Sequence, residues 1–484
     1  MPRMPAPNPW LTDSAYPISH MNPAATDAVS FAGPTGGRRL TRDEVPVVPT
    51  LFVSNPTVKT IGADTVAFAS GALGVQKILA TGDAWTLLGE VLYPGMEEPA
   101  AQATPATFAA VLAQADAAFR AKDDVGLVAA ANAVAGVGFT ADTVANGVFN
   151  LIDRDGFHYC VYGGVHVVKT TDDNRVEAPP RVVTAAAITR LHGLTMTYDG
   201  YLAAAAQHAV VVLDRDLTPK ASIAFRGEAV ASRICVDEQG GIYVVTSQRM
   251  RKVIWNGRTL SDQAPAFDAG ARGAGTTPTL MGFGDDPHKF VVIAAADETG
   301  TNLVAFWRDE IPAEFEPQPG TTSRRIADQI RIDLSPLTIE PIPAVLGYGV
   351  AVLNSRLSHP AGMGPVNAVV SGGRRPAPRG IEKFVWNPGE CQFGHAWTNP
   401  DIDNTDGVVP SISAATNEIY VAHQADGRYQ YLGLDWDTGA VKDRWVFPDD
   451  SRIWNAVGGI TGILENGDLM LGGLFGSKRL NIGP

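Results

Sequence analysis

A chain of 484 residues, 45% hydrophobic and 18% charged, has the composition of a well-buried globular protein and not of a disordered one. Its net charge of −13 argues against nucleic acid as a partner, because no basic stripe is available to neutralise phosphates, and against an anionic membrane surface. No run of about 18 apolar residues could span a bilayer. The opening text, MPRMPAPNPWLTDSAYP, lacks the apolar core of a secretory signal. The three cysteines, Cys160, Cys235 and Cys391, form an odd, sparse set within or beside apolar strand-like text. They read as buried free thiols, and a cytoplasmic protein is expected.

In chain order, residues 1–48 are Pro-rich and irregular, and predict an extended arm wrapped on the body. A repeated hairpin follows over 49–484. Apolar strands flank a polar turn at Gly62–Asp64, Asp153–Gly156, Asp199–Gly200 and Gln239–Gly241. The pattern continues as TLMGFGDDPHKFVVIAAA, then as an irregular VLGYGVAVLN…GIEKFVWNPG, then as ISAATNEIYVAHQ and GITGILENGDLMLGG. Hairpins returning about every 40–50 residues are the mark of radial β-repeats. The fold expected is therefore all-β, an eight-bladed β-propeller. Seven blades would result if the irregular sixth or the terminal repeat were not independent.

One segment breaks the period. Over 102–136, Phe108, Val111, Leu112, Ala115 and Phe119 fall on one helical face. Thr104 before Pro105 is a good N-cap followed by proline at the first helical position. Lys122–Asp124 reads as a break before a second helix. A helical hairpin inserted into the propeller is expected, serving as a lid, as a homodimer surface or as packing on the outside.

A propeller restricts where a site can lie. The links into each inner strand, and the loops between second and third strands, surround one mouth of the channel, whereas the tight turns lie on the opposite face. Asp155, Asp199, Asp237 and Asp468 are thus expected as turn formers. Four of the nine histidines fall in mouth segments: His192, His208, His359 and His423. Imidazole suits proton transfer near neutral pH, and it is also the commonest metal ligand. Glu228, between Arg226 and Arg233, is the best carboxylate for acid/base work. Asp401, Asp403 and Asp406 form an acidic loop that misses the calcium-loop spacing by one residue. No G-x-S-x-G elbow, P-loop or dinucleotide fingerprint is present.

LGLDWDTGAVKDRWVF (432–447) resembles the blade motif of quinoprotein dehydrogenases, in which an Asp, a Thr-Gly turn and a Trp dock neighbouring blades. Asp435, Thr438, Gly439 and Trp445 match in type. The motif occurs once, with a longer Gly-to-Trp spacing and no adjacent cysteine pair. The resemblance implies quinoprotein-like, eight-bladed architecture and not a pyrroloquinoline quinone cofactor.

The function expected is that of a small-molecule enzyme at the channel mouth, with acid/base chemistry of hydrolase, lyase or isomerase type. His192 would be the central acid or base, Glu228 its carboxylate partner, and Arg190 or Arg226 an anion or oxyanion clamp. Two other classes stay open. In a metal-dependent oxidoreductase, His192, His208, His359 and His423 would hold a metal ion; a non-catalytic binding or scaffold propeller would need none of these roles.

Overall fold

The computed structural model describes residues 2–483 except 54, 124, 128, 131–132, 134–145, 172–180, 184–189, 264–275, 297–299, 335–341, 355–378 and 405. Eight four-stranded antiparallel blades form the ring, spanning 56–92, 150–183, 191–224, 230–262, 279–331, 344–399, 411–446 and, for the last, 462–480. The irregular sixth repeat is a full blade, and so is the terminal one. Blade 8 draws only three strands from the C-terminus. Its outermost strand, Val47–Pro49, comes from the arm and pairs antiparallel with Gly476–Leu480, Val47 facing Lys478. The ring is thus closed by both ends of the chain.

Blades stack face to face, so their middle strands are buried on both sides and read as continuous apolar runs. In blade 3, Leu202–Ala206 and Ala209–Leu213 are buried at every position, whereas the outer strand Pro219–Ala224 alternates between exposed and half-buried. The turns hold the hairpins through carboxylates. Asp237 Oδ1 accepts the N–H groups of Gln239 and Gly241 at 2.9 and 2.7 Å, and Tyr243 Oη donates to Oδ2 at 2.7 Å. In blade 2 that position belongs to Asp153, which accepts from Asp155, Phe157 and Tyr159. The expected Asp155 instead pairs with Arg215 on blade 3. Asp199 joins blades 3 and 4 by accepting Trp255 Nε1–H at 2.9 Å. The quinoprotein-like turn docks as the resemblance implies. Gly439, at φ +71°, leaves no room for a Cβ, which would lie 2.4 Å from the Trp397 ring of blade 6. Trp397 Nε1 donates to the Trp436 carbonyl at 3.0 Å. Trp445 packs within its own blade, against Tyr420.

The arm is not simply wrapped outside. It rises through the channel against blades 1 and 2, where Val58 N donates to Tyr16 O and Ser19 N to Asn150 O. It turns within 20–27 and descends past the other inner strands. Val236, Leu280, Val345 and Ile412 donate backbone N–H bonds to the carbonyls of Pro23, Ala24, Thr26 and Asp27. Ala28–Val29 then pairs in parallel with the inner strand of blade 7. Strand edges that would otherwise line an open channel are satisfied by this segment.

The insertion contains helix α1, Glu97–Gln102, and helix α2, Pro105–Ala121; a further helical stretch begins at Val125. Thr104 caps α2 by accepting the Thr107 N–H, and Lys122 ends it in the left-handed conformation. Val111, Ala115 and Phe119 of α2 pack with Phe52, Val457, Leu474 and Phe475. Asp116 accepts from Ser451 Oγ and Arg452 N, both at 2.7 Å, anchoring α2 on the link into blade 8. Among the described residues, no helix is long and apolar enough to cross a membrane.

Candidate active site at the channel mouth

The inner strand of blade 4, Val230–Val236, shows how the mouth is built. It starts where Val230 N donates to Gln207 O of the blade 3 loop, at 2.7 Å, and ends at the Asp237 turn. Arg190 is exposed just ahead of the blade 3 inner strand, Leu191–Met196. The register slips between Leu191 and Gly193, which makes His192 the extra residue of a bulge. Bulges re-aim side chains, and they recur beside active sites. His192 is half-buried. Burial, then the charges of Arg190 and His208, hold its imidazole below the usual value, so it is neutral at pH 7 and able to take a proton.

His208 is exposed beside it on the same blade, and its Nδ1–H donates to the Glu228 carbonyl at 2.8 Å. The Glu228 carboxylate is 5% exposed and does not bond His192. It accepts from Thr246 Oγ1 at 2.5 Å and from Arg251 Nε and Nη2 at 3.0 and 2.6 Å, and it pairs with Arg249 at 3.3 Å. Burial pushes this carboxyl up, but the bonds from Arg251 and Thr246 and the flanking arginines outweigh it and hold it low. Glu228 thus stays ionised and organises arginines. Arg226 is exposed at the same mouth.

His192 and His208 share blade 3, and His423 does not join them. His423 is on blade 7, buried, and its Nδ1 accepts the Asp403 N–H at 3.0 Å; burial and nearby arginines push its pKa down to about 4. His359 lies outside the described residues. Among the described residues, no three His, Cys, Asp or Glu side chains are placed to hold a metal ion. The acidic loop also diverges. Asp401 is exposed, Asp403 pairs with Arg379 at 3.5 Å, and Asp406 accepts from Ala456 N at 2.9 Å.

The arm brings residues to the channel that sequence reasoning missed. His20 Nδ1 lies 3.1 Å from both Asp27 carboxylate oxygens, and Arg233 Nη1 lies 2.7 Å from His20 Nε2. Arg233 sits at a second bulge, between Val230 and Ile234. Gly193 packs against it, since a Cβ there would lie 3.2 Å from Arg233 Cα. The only signal in the sequence was a His and an Asp in an otherwise apolar stretch, SHMNPAATDAV. On the turn face, the arm leaves a well of about 910 Å³, lined by prolines and apolar side chains with Asp13, Arg154 and Glu465 as its charged groups.

No family model matches the chain. In sequence it is 30% identical over 314 residues to an uncharacterized protein of Archaeoglobus fulgidus, covering 60% of this chain. The chain spans 60% of the length of that curated relative. In structure it is similar to the quinohemoprotein alcohol dehydrogenase of Comamonas testosteroni, with a TM-score of 0.51 at 10% identity over 97% of this chain and 81% of that one. The fold is a quinoprotein-like, eight-bladed propeller. A match to the dihydro-heme d1 dehydrogenase NirN covers 68% of this chain and 64% of that one, with a TM-score of 0.39 at 12% identity. At these identities the likeness extends to the fold and not to the chemistry.

Proposed function

We propose that this quinoprotein-like propeller is an enzyme acting on a small anionic molecule at the channel mouth, by acid/base chemistry of hydrolase, lyase or isomerase type. The observation that carries the reading is His192: a half-buried imidazole on a bulge at the mouth, held neutral by burial and by neighbouring positive charge. Neutral His192 takes a proton from the substrate or from a water attacking it. Arg190 and Arg226, exposed at the entry to blades 3 and 4, hold the anionic group or a developing oxyanion. Glu228 acts one step back, keeping Arg249 and Arg251 in place at the same mouth. Arg190 and Arg226 put exposed positive charge at the entrance of a protein of net charge −13, which favours capture of anions.

The test is conversion of a mixed library of phosphorylated and carboxylated metabolites, followed by mass spectrometry. The wild-type chain should deplete at least one member, and His192→Gln should not. Equal depletion by both proteins would remove His192 from the chemistry.

A further inference from the structure

We propose that Arg233 joins Arg190 and Arg226 as a further, bidentate contact to the substrate's anionic group, and that the arm supplies His20 and Asp27 to hold it in position. The inference deepens the mouth reading above and rests on it. The three residues form a line from the channel interior outward. Asp27 is 0% exposed, His20 is 5% exposed, and Arg233 is the one that solvent reaches. An arginine keeps its proton, so its Nη1–H donates to the lone pair of His20 Nε2 across 2.7 Å. The His20 proton must then sit on Nδ1, where it meets both Asp27 oxygens at 3.1 Å. Burial pushes the Asp27 carboxyl up while His20 and Arg233 pull against it, and the imidazole links carboxyl to guanidinium.

The backbone around this line is unusual. His20, Met21, Ala25 and Asp27 all have left-handed conformations, at φ 67°, 70°, 56° and 54°. Non-glycine residues held there are strained, and such strain gathers where a function requires it. Both members of the dyad are among the four. The strain is sustained by the backbone bonds that tie Pro23, Ala24, Thr26 and Asp27 to four inner strands. A segment that merely filled the channel would have no need to turn through two strained polar residues.

The gripped guanidinium is suited to a bidentate oxyanion. His20 fixes one nitrogen, and the Phe149 ring, 5.1 Å from the guanidinium carbon, covers one face. A fork already restrained in rotation loses little entropy when it binds a carboxylate or phosphate. Gly193 presses directly on the Arg233 backbone, and His192 is its chain neighbour. The inner strands that carry His192 and Arg233 are adjacent, so an anion on Arg233 lies at the same mouth as the His192 base.

Calorimetric titration of the full chain with inorganic phosphate, and separately with succinate, tests this and tells the two anion sources apart. At least one probe should bind. Arg233→Gln should weaken it by about tenfold or more, the loss expected for charge-assisted hydrogen bonds. Arg233→Lys, which keeps the charge without the fork, should fall between. His20→Gln and Asp27→Asn should each weaken the same probe several-fold, and His20→Gln combined with Arg233→Gln should bind no worse than Arg233→Gln alone. That non-additivity separates positioning from a general structural role. Failure of both probes, unaltered binding by Arg233→Gln, or additive losses in the double variant would each overturn the proposal. His192→Gln keeps the two readings distinct. It should leave anion binding intact while abolishing turnover; if it turns over normally while Arg233→Gln loses the anion, the base assignment fails and the anion site stands.

Discussion

Replacing Asp468 by alanine should lower the melting temperature by about 4 °C. Asp468 and Arg479 fasten the ring where blade 8 meets blade 1, and they are 2% and 1% exposed. Arg479 Nε and Nη2 donate to Asp468 Oδ2 at 2.9 and 2.6 Å. Arg479 Nη1 reaches the Ala80 and Ala84 carbonyls of blade 1 at 2.7 and 3.0 Å. Asp468 Oδ1 accepts the Ile482 and Gly483 amides at 2.8 and 2.7 Å, pinning the C-terminus. Alanine leaves a buried guanidinium without its counter-charge, a loss of about 3–5 kcal/mol. With an unfolding entropy of about 2.1 cal/mol/K per residue, a chain of 484 residues loses about 1 °C per kcal/mol. Scanning calorimetry of Asp468→Ala gives the answer, with Arg120→Ala as control. Arg120 pairs with Asp450 at the surface, 55% and 33% exposed, and its loss should shift melting by less than about 1 °C. Arg479→Leu added to Asp468→Ala removes the stranded charge and should cost less than the two single changes summed. If Asp468→Ala melts with the control, the ring is not fastened there.

Three further outcomes follow from the same contacts. His158 is fully buried, stacked on Phe68, with Nε2 3.0 Å from Ser70 Oγ, and burial together with Lys77 and Lys59 pushes its pKa down to about 3. The unfolded chain therefore binds the proton first, and stability is lost as pH falls from about 6.5 toward 3, by about 1.4 kcal/mol per unit for this group; His158→Gln should flatten the pH dependence of urea unfolding over that window. Gly439→Ala combines φ +71° with a Cβ 2.4 Å from Trp397 and should cost about 3 kcal/mol in the same urea assay. Asp116→Ala removes the acceptor of Ser451 Oγ and Arg452 N, and should speed amide exchange across α2 by about tenfold, corresponding to about 1–2 kcal/mol.

The parts of the fold legible in the sequence were those with local causes. Turn chemistry at Gln239–Gly241 and the cap Thr104 before Pro105 act within a few residues, so their signals survive without tertiary context. The blade docking at Gly439 was legible because only glycine fits against Trp397. The arm was legible only as an irregular segment. Its hydrogen bonds go to six different blades, and no period in residues 12–29 records that. The fourth strand of blade 8 is three residues long, Val47–Pro49, too short for an alternation to show. At the site, Glu228 was recognisable as a carboxylate among arginines, but its partners Arg249 and Arg251 come from the far side of the same blade's hairpin. His20, Asp27 and Arg233 meet across 213 positions of sequence, between Arg233 and His20, so proximity along the chain could not join them.

The most direct measurement is the pH dependence of kcat/KM for a substrate found in the metabolite screen, in wild type and in His192→Gln. The wild-type rate should rise with pH through an apparent pKa below the ordinary imidazole value of about 6.5, as burial and Arg190 require. His192→Gln should lose that limb and at least about a hundredfold in rate. A His192→Gln profile that keeps both the limb and the rate of the wild type would contradict it.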